Sequence, residues 1–82
     1  MNMNFGQAIE ALQQSKRVAR QGWNGKSMYL FLVKDYTHTL YDAPDGKYNF
    51  NPEIVMKTAD NKLVHWLASQ TDMLSEDWEI VE

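Results

Sequence analysis

The chain has 82 residues, a formal net charge of −3 and no cysteine, so we expect one domain spanning residues 1–82, near the lower end of what folds alone. Disulfides and thiolate metal sites are excluded, and two histidines without a carboxylate cluster at ligand spacing do not suggest zinc; no cofactor is expected. Acidic and basic residues are interspersed, without the basic stripe that a nucleic-acid polymer requires, and no apolar run approaches the roughly 20 residues of a membrane span. A small anionic ligand stays open, because it needs only one or two local cations or backbone donors. The expected setting is soluble, reducing and cytoplasmic. Three Trp, four Tyr and three Phe leave a well-packed aromatic core or self-association as the ways to stabilise so short a chain.

From Asn4 to Gln14 the apolar residues Phe5, Ala8, Ile9 and Leu12 fall at three-and-four spacing, which predicts an amphipathic helix of about three turns. Asn4 is a candidate N-cap with Gln7 three residues on, a variant of the capping box. Lys16 and Arg17 follow, where cations suit the helix dipole. Val18 to Trp23 reads as a short extended segment, and Asn24-Gly25 as a hairpin turn before the apolar run Met28 to Val33. That run predicts a central strand covered on both faces, the helix on one and a partner subunit on the other. Trp23 beside the turn is either a cross-strand packing residue or a stacking platform for a ring, with Asn24 and Arg20 able to bond its edges or phosphates. Arg17 and Arg20 can equally be read as solvated strand-edge charges, and Arg17 is the better fit to that reading.

Between Lys34 and Pro52 the pattern weakens. Tyr36 to Tyr41 has strand propensity, Asp42 to Gly46 carries a turn signal, and Tyr48 and Phe50 suit a return strand. His38 reads as a loop or strand side chain, since no acid or nucleophile is matched to it. Glu53 to Thr58 and Lys62 to Leu67 read as two strands around Asp60-Asn61. Asp77 to Val81 alternates charge with apolar bulk, as an edge strand does. Together these predict an α+β fold: one N-terminal amphipathic helix packed on a small, mostly antiparallel sheet of about five strands.

The stretch Trp66 to Trp78 concentrates hydrogen-bonding side chains between two large aromatics. Ser69-Gln70-Thr71-Asp72 admits a plain reading, a strand end with Thr71 or Asp72 capping a short helical turn. It also admits a sharper one, a polar edge of a ligand site. No phosphate loop, paired-carboxylate motif, nucleophile elbow or metal-ligand array appears, so an enzyme is disfavoured. His65 and Ser69 share a strand face about 13 Å apart, too far for a proton relay.

Ala19-Arg20-Gln21-Gly22-Trp23-Asn24-Gly25-Lys26, Met56-Lys57-Thr58-Ala59-Asp60, and Trp66 to Leu74 with Glu76-Asp77-Trp78 together resemble the second type of Thoeris anti-defence family, carried by phages and prophages. The resemblance runs from Phe5-Gly6 to Trp78-Glu79. It implies a molecular sponge, not an enzyme: a homotetramer in the infected host's cytoplasm that holds cyclised ADP-ribose immune signals intact in pockets at subunit interfaces. Some members also take up cyclic oligonucleotides. Carried onto matching positions, it makes Trp23, Asn24, Trp66, Ser69, Gln70, Thr71 and Asp72 the expected pocket lining. Trp23 and Trp66 suit adenine stacking, Ser69, Thr71 and Asn24 suit phosphate or ribose oxygens, and Asp72 suits a ribose hydroxyl or the pocket's own backbone. The chain departs from common members at His65, where proline is frequent, and at Asn61, where glycine is frequent. A nucleotide-degrading enzyme and a protein-binding inhibitor of a host effector are the alternatives.

Overall fold

The computed structural model describes residues 2–23, 27–34 and 51–81. The chain runs α1 (Phe5–Gln13), β1 (Arg17–Arg20), β2 (Tyr29–Val33), β3 (Glu53–Lys57), β4 (Leu63–His65), α2 (Gln70–Leu74) and β5 (Trp78–Val81). Among the described residues the strands form one sheet in the order β4-β3-β2-β1-β5, with every pairing antiparallel. The α+β architecture expected from the sequence is therefore present, with β2 in the centre and β5 at an edge. The expected turn at Asn24-Gly25, the strands over Tyr36–Tyr41 and Tyr48–Phe50, and His38 lie outside the described residues.

The helix begins where its capping residues require. The Gln7 N–H donates to Asn4 Oδ1 at 2.8 Å and the Asn4 N–H donates to Gln7 Oε1 at 2.9 Å, so the capping box is complete. Nine residues are too few to hold a helix in water, and α1 persists because Ala8, Ala11 and Leu12 are buried against the sheet. At its other end the expected role of Lys16 and Arg17 falls to Lys34, whose Nζ donates to the Gln13 carbonyl at 2.7 Å. Arg17 has already entered β1. Asn4→Ala removes the side-chain half of the capping box, the acceptor for the Gln7 N–H, and keeps the backbone N–H that Gln7 Oε1 accepts from. It is expected to cost about 1 kcal/mol and to lower the melting temperature by about 4–8 °C, read by thermal unfolding followed in the far ultraviolet.

Register explains which residues the helix covers. One apolar row crosses the whole sheet, Ile80, Val18, Leu30, Met56 and Val64 in spatial order. Val18 and Leu30 in the middle are fully buried beneath α1, whereas Ile80 and Val64 at the two edges are 44 % and 43 % exposed. A second, parallel row pairs Leu32 with Ile54, and the Trp66 N–H continues it by donating to the Ile54 carbonyl at 3.2 Å. Met3, Phe5, Ile9, Trp23 and Trp66 close the core around Trp78, which is fully buried.

The opposite sheet face carries Tyr29, Phe31 and Val33, all half-buried, with Val55 buried beside Phe31. Arg17 lies on this face, exposed, with its guanidinium 4.9 Å from the Tyr29 ring centroid. Strand alternation sends Arg20, three residues on, to the helix side with Trp78. The two arginines thus have unrelated jobs. Arg17 is the surface charge expected of it, on an interior strand rather than an edge.

One further detail differs from expectation. Strand β4 spans three residues rather than six, because the chain turns inward after His65 to bury part of Trp66. His65 itself pairs through Nδ1 with Glu53 Oε1 across from β3. At Asn61 the backbone is left-handed, φ 65°, in a turn closed by Thr58 and Lys62. Asn tolerates that conformation better than other residues with a side chain, and glycine tolerates it best. The outer edge of β5 is partly closed by Met3, which exchanges backbone hydrogen bonds with Trp78 at 2.7 and 3.1 Å.

Candidate functional site

Ser69 has extended backbone, and its Oγ accepts from the Asp72 N–H at 3.1 Å while Asp72 Oδ2 accepts from the Ser69 N–H at 3.1 Å. The short helical turn expected here exists, but its cap is Ser69, with Asp72 as the reciprocal partner; Thr71 has no capping role. Helix α2 has five residues and buries none of them. It cannot persist by propensity.

Two tethers from elsewhere in the chain hold it. The buried Trp78 indole N–H donates to the Asp72 carbonyl at 3.0 Å. Arg20 NH1 donates to Asp72 Oδ1 at 3.0 Å, and Arg20 Nε to Asp77 Oδ1 at 2.9 Å. One guanidinium thus bridges two carboxylates. Its side chain is 19 % exposed, that of Asp72 15 % and that of Asp77 32 %, so water screens the Arg20–Asp72 pair less than a surface pair, and the Arg20–Asp77 pair more than the Arg20–Asp72 pair. The cation that Asp72 and Asp77 gather around is the protein's own arginine.

Charge and hydrogen bonding set the titration of this junction. Desolvation is the largest single influence on Asp72 and pushes its carboxyl up, but the Ser69 N–H and hydroxyl and the Arg20 guanidinium together outweigh it, and the net shift is downward. Asp77 is also held below the usual carboxylate range, first by its hydrogen bond from Arg20. That bond in turn raises the Arg20 pKa above its ordinary value. Both carboxylates bind protons more weakly in the folded chain than in the unfolded chain. Their stabilising contribution is therefore complete above the ordinary value of 3.8 and is lost as pH falls through the lowered values. We expect urea midpoints insensitive to these groups near neutrality and falling below about pH 3.8. In Asp72→Asn the acid-induced loss becomes shallower; an unchanged acid slope would show that Asp72 is not among the groups responsible.

Trp23 and Trp66 flank Trp78. Their ring centroids lie 5.6 and 6.0 Å from it, edge to face at 78° and 87°. Phe5 joins at 6.3 Å from Trp66 and 5.7 Å from Trp78. Among the described residues Trp23 and Trp66 share no ring contact, so they frame the buried Trp78 rather than one common slot. Both are half-buried. Trp66 also lines an apolar groove of about 630 Å³ with Ile9, Leu32, Lys34 and Ile54, between α1 and the sheet.

Ser69, Gln70 and Thr71 are exposed and Asp72 is half-buried. Gln70, Thr71 and Leu74 share a face of α2 by helical spacing, and Leu74 is 79 % exposed, as Leu67 just before the helix is 91 % exposed. Asn24 lies outside the described residues. The structure therefore places Ser69 and Asp72 in the internal bracing of α2, and Gln70 and Thr71 on its open face. The convergence of Asp72 and Asp77 on Arg20 was hidden in the sequence, because the partners are 52 and 57 residues away. The close spacing of two acids around Trp78 is the one local sign of it.

A family model described as the Thoeris anti-defense 2-like domain matches residues 3–81. A phage protein, "Thoeris anti-defense 2" of Bacillus phage SP01, is 48 % identical over 84 aligned positions, which cover 96 % of this chain and 94 % of that relative. A match that runs from the N-terminal bridge at Met3 to the last residue of β5 takes in every element of the fold, including both tethers of α2. The chain belongs to the Thoeris anti-defense 2-like family.

Proposed function

We propose that this chain is a phage anti-defence sponge that binds a cyclic nucleotide-derived immune signal, of the cyclised ADP-ribose class, and sequesters it intact in the cytoplasm of the infected host. The family assignment supports the anti-defence role. The observation that carries the binding reading is the open face of α2. Gln70 and Thr71 stand exposed on a backbone braced by the Ser69–Asp72 capping box and by Arg20, beside the exposed Leu67 and Leu74. Fixed polar groups next to uncovered apolar ones are what one wall of a ligand site looks like before its opposite wall is added. A second subunit supplies that wall in a homotetramer, with Trp23 or Trp66 stacking on the base.

Binding rather than turnover fits the chemistry at α2. Ser69 Oγ is engaged as a helix cap, and His65 pairs with Glu53 rather than with a hydroxyl nucleophile. The test is retention and release. The protein is incubated with cyclised ADP-ribose, passed through a size filter, washed and heat-denatured. Recovery of the intact nucleotide from the denatured fraction is the expected result. A chemically altered product would establish an enzyme instead. Nucleotide left in the filtrate at micromolar protein would remove this reading and leave a protein-binding inhibitor.

A further inference from the structure

We infer that Arg20 is a positioning residue, one guanidinium that fixes α2 and the turn carrying Trp23 relative to each other and so presets this chain's part of the ligand site without touching the ligand. The inference rests on the binding reading above, and it names the residue on which that site's geometry depends.

The connections on each side of Arg20 are specific. Toward α2, NH1 holds Asp72 Oδ1, and the same carboxylate's Oδ2 holds the Ser69 N–H, so the guanidinium orients the acid that completes the cap. Toward Trp23, Nε and NH2 hold the two oxygens of Asp77 at 2.9 and 3.5 Å. Asp77 receives the Gln21 N–H on its carbonyl at 3.0 Å, and the Trp23 N–H closes the turn onto the Arg20 carbonyl at 3.2 Å. The Asp77 carboxylate also lies against Gly22, where an added Cβ would stand 3.6 Å from Oδ2. The turn that aims Trp23 and the first turn of α2 therefore meet at a single planar group. Gln21 and Gly22 are exposed and α2 has no fully buried residue, so besides the packing of Trp23 on Trp78 and the Trp78 indole bond to α2, this junction is what joins them. A planar fork with donors on two edges holds two carboxylates in fixed directions; a lysine ammonium on a flexible stem can reach both but fixes their directions less well.

Four variants decide it: Arg20→Met, Arg20→Lys, Asp72→Asn and the double variant Arg20→Met with Asp72→Asn. Two readouts are taken, amide exchange of residues 69–74 and 21–23 in the unliganded protein, and affinity for cyclised ADP-ribose by calorimetry. Positioning predicts faster exchange in both segments of Arg20→Met. It predicts affinity lower by about tenfold or more in each single substitution, little further loss in the double variant, and incomplete rescue by Arg20→Lys. Strictly additive losses, full rescue by lysine, or a loss confined to Arg20→Met with Asp72→Asn spared would show that the guanidinium contacts the ligand itself and would overturn the inference. Should Arg20→Met fail to fold, Arg20→Lys and Asp72→Asn carry the same comparison. If the wild-type chain retains no nucleotide, the binding reading fails, while amide exchange still decides whether Arg20 joins the two segments: unchanged exchange in the Arg20 variants sinks it.

Discussion

Replacing Trp78 with alanine is expected to remove a large share of the stability of this chain, the largest loss of any single truncation in the core. The indole is fully buried and stands at the centre of the aromatic group formed with Phe5, Trp23 and Trp66. Truncating a buried Trp to Ala costs about 3–5 kcal/mol, because the transfer energy is lost and a cavity is left. A chain of this length has a total stability of about 4–12 kcal/mol at roughly 0.05–0.15 kcal/mol per residue. The substitution also removes the indole N–H from the Asp72 carbonyl, which frees α2 on one side, and it strips the inner face from the residue that Met3 pins to the edge of β5. Trp78→Phe separates these effects. It keeps most of the apolar volume and loses the hydrogen bond, so a cost of about 1–2 kcal/mol is expected. Urea unfolding of the two variants checks both numbers. If Trp78→Ala unfolds at the wild-type midpoint, Trp78 is not the centre of this core.

How much of this was legible beforehand depended on the range of the interaction. The first helix could be read in full, because Asn4, Gln7 and the spacing of Phe5, Ala8, Ile9 and Leu12 are all local signals, and the structure places cap and face where they point. The central position of β2 could be read from a run with no polar residue. Strand β4 could not be bounded, because Leu63 to Leu67 has strand propensity throughout and only tertiary packing of Trp66 decides where the strand stops. Ser69 and Asp72 were recognisable as a polar cluster, yet which of them capped the helix depended on a register that Ser69-Gln70-Thr71-Asp72 leaves open by one or two positions. The Arg20 junction was beyond local reading altogether. Arg20 reads in sequence as a cation able to bond a ring's edges or phosphates, or as a solvated strand-edge charge, and its charge is instead spent on two carboxylates, Asp77 beside β5 and Asp72 in α2.

The same distinction, between polar groups engaged inside the fold and polar groups left open, decides where a ligand with phosphates would feel a new charge. Gln70→Glu is expected to lower affinity for cyclised ADP-ribose on the order of tenfold to a few hundredfold while leaving the fold intact. Gln70 is the first residue of α2 and exposed. A carboxylate in the first turn of a helix is favourable to the backbone dipole by about 0.3–1 kcal/mol, so the substitution does not weaken α2. Against an anionic ligand the same carboxylate is repulsive. At about 4 Å the interaction is roughly 1 kcal/mol in water and about 4 kcal/mol near a protein surface. Salt must then diminish the effect, since a Debye length of about 10 Å at 0.1 M screens an exposed charge. Ser69→Ala is the contrasting variant. It is expected to lose about 1 kcal/mol of stability through the cap and to lower affinity only as far as α2 loosens, without a salt dependence. Calorimetric titration at two ionic strengths separates the two. If Gln70→Glu binds as tightly as the wild type at low salt, the open face of α2 is not the wall that meets the phosphates.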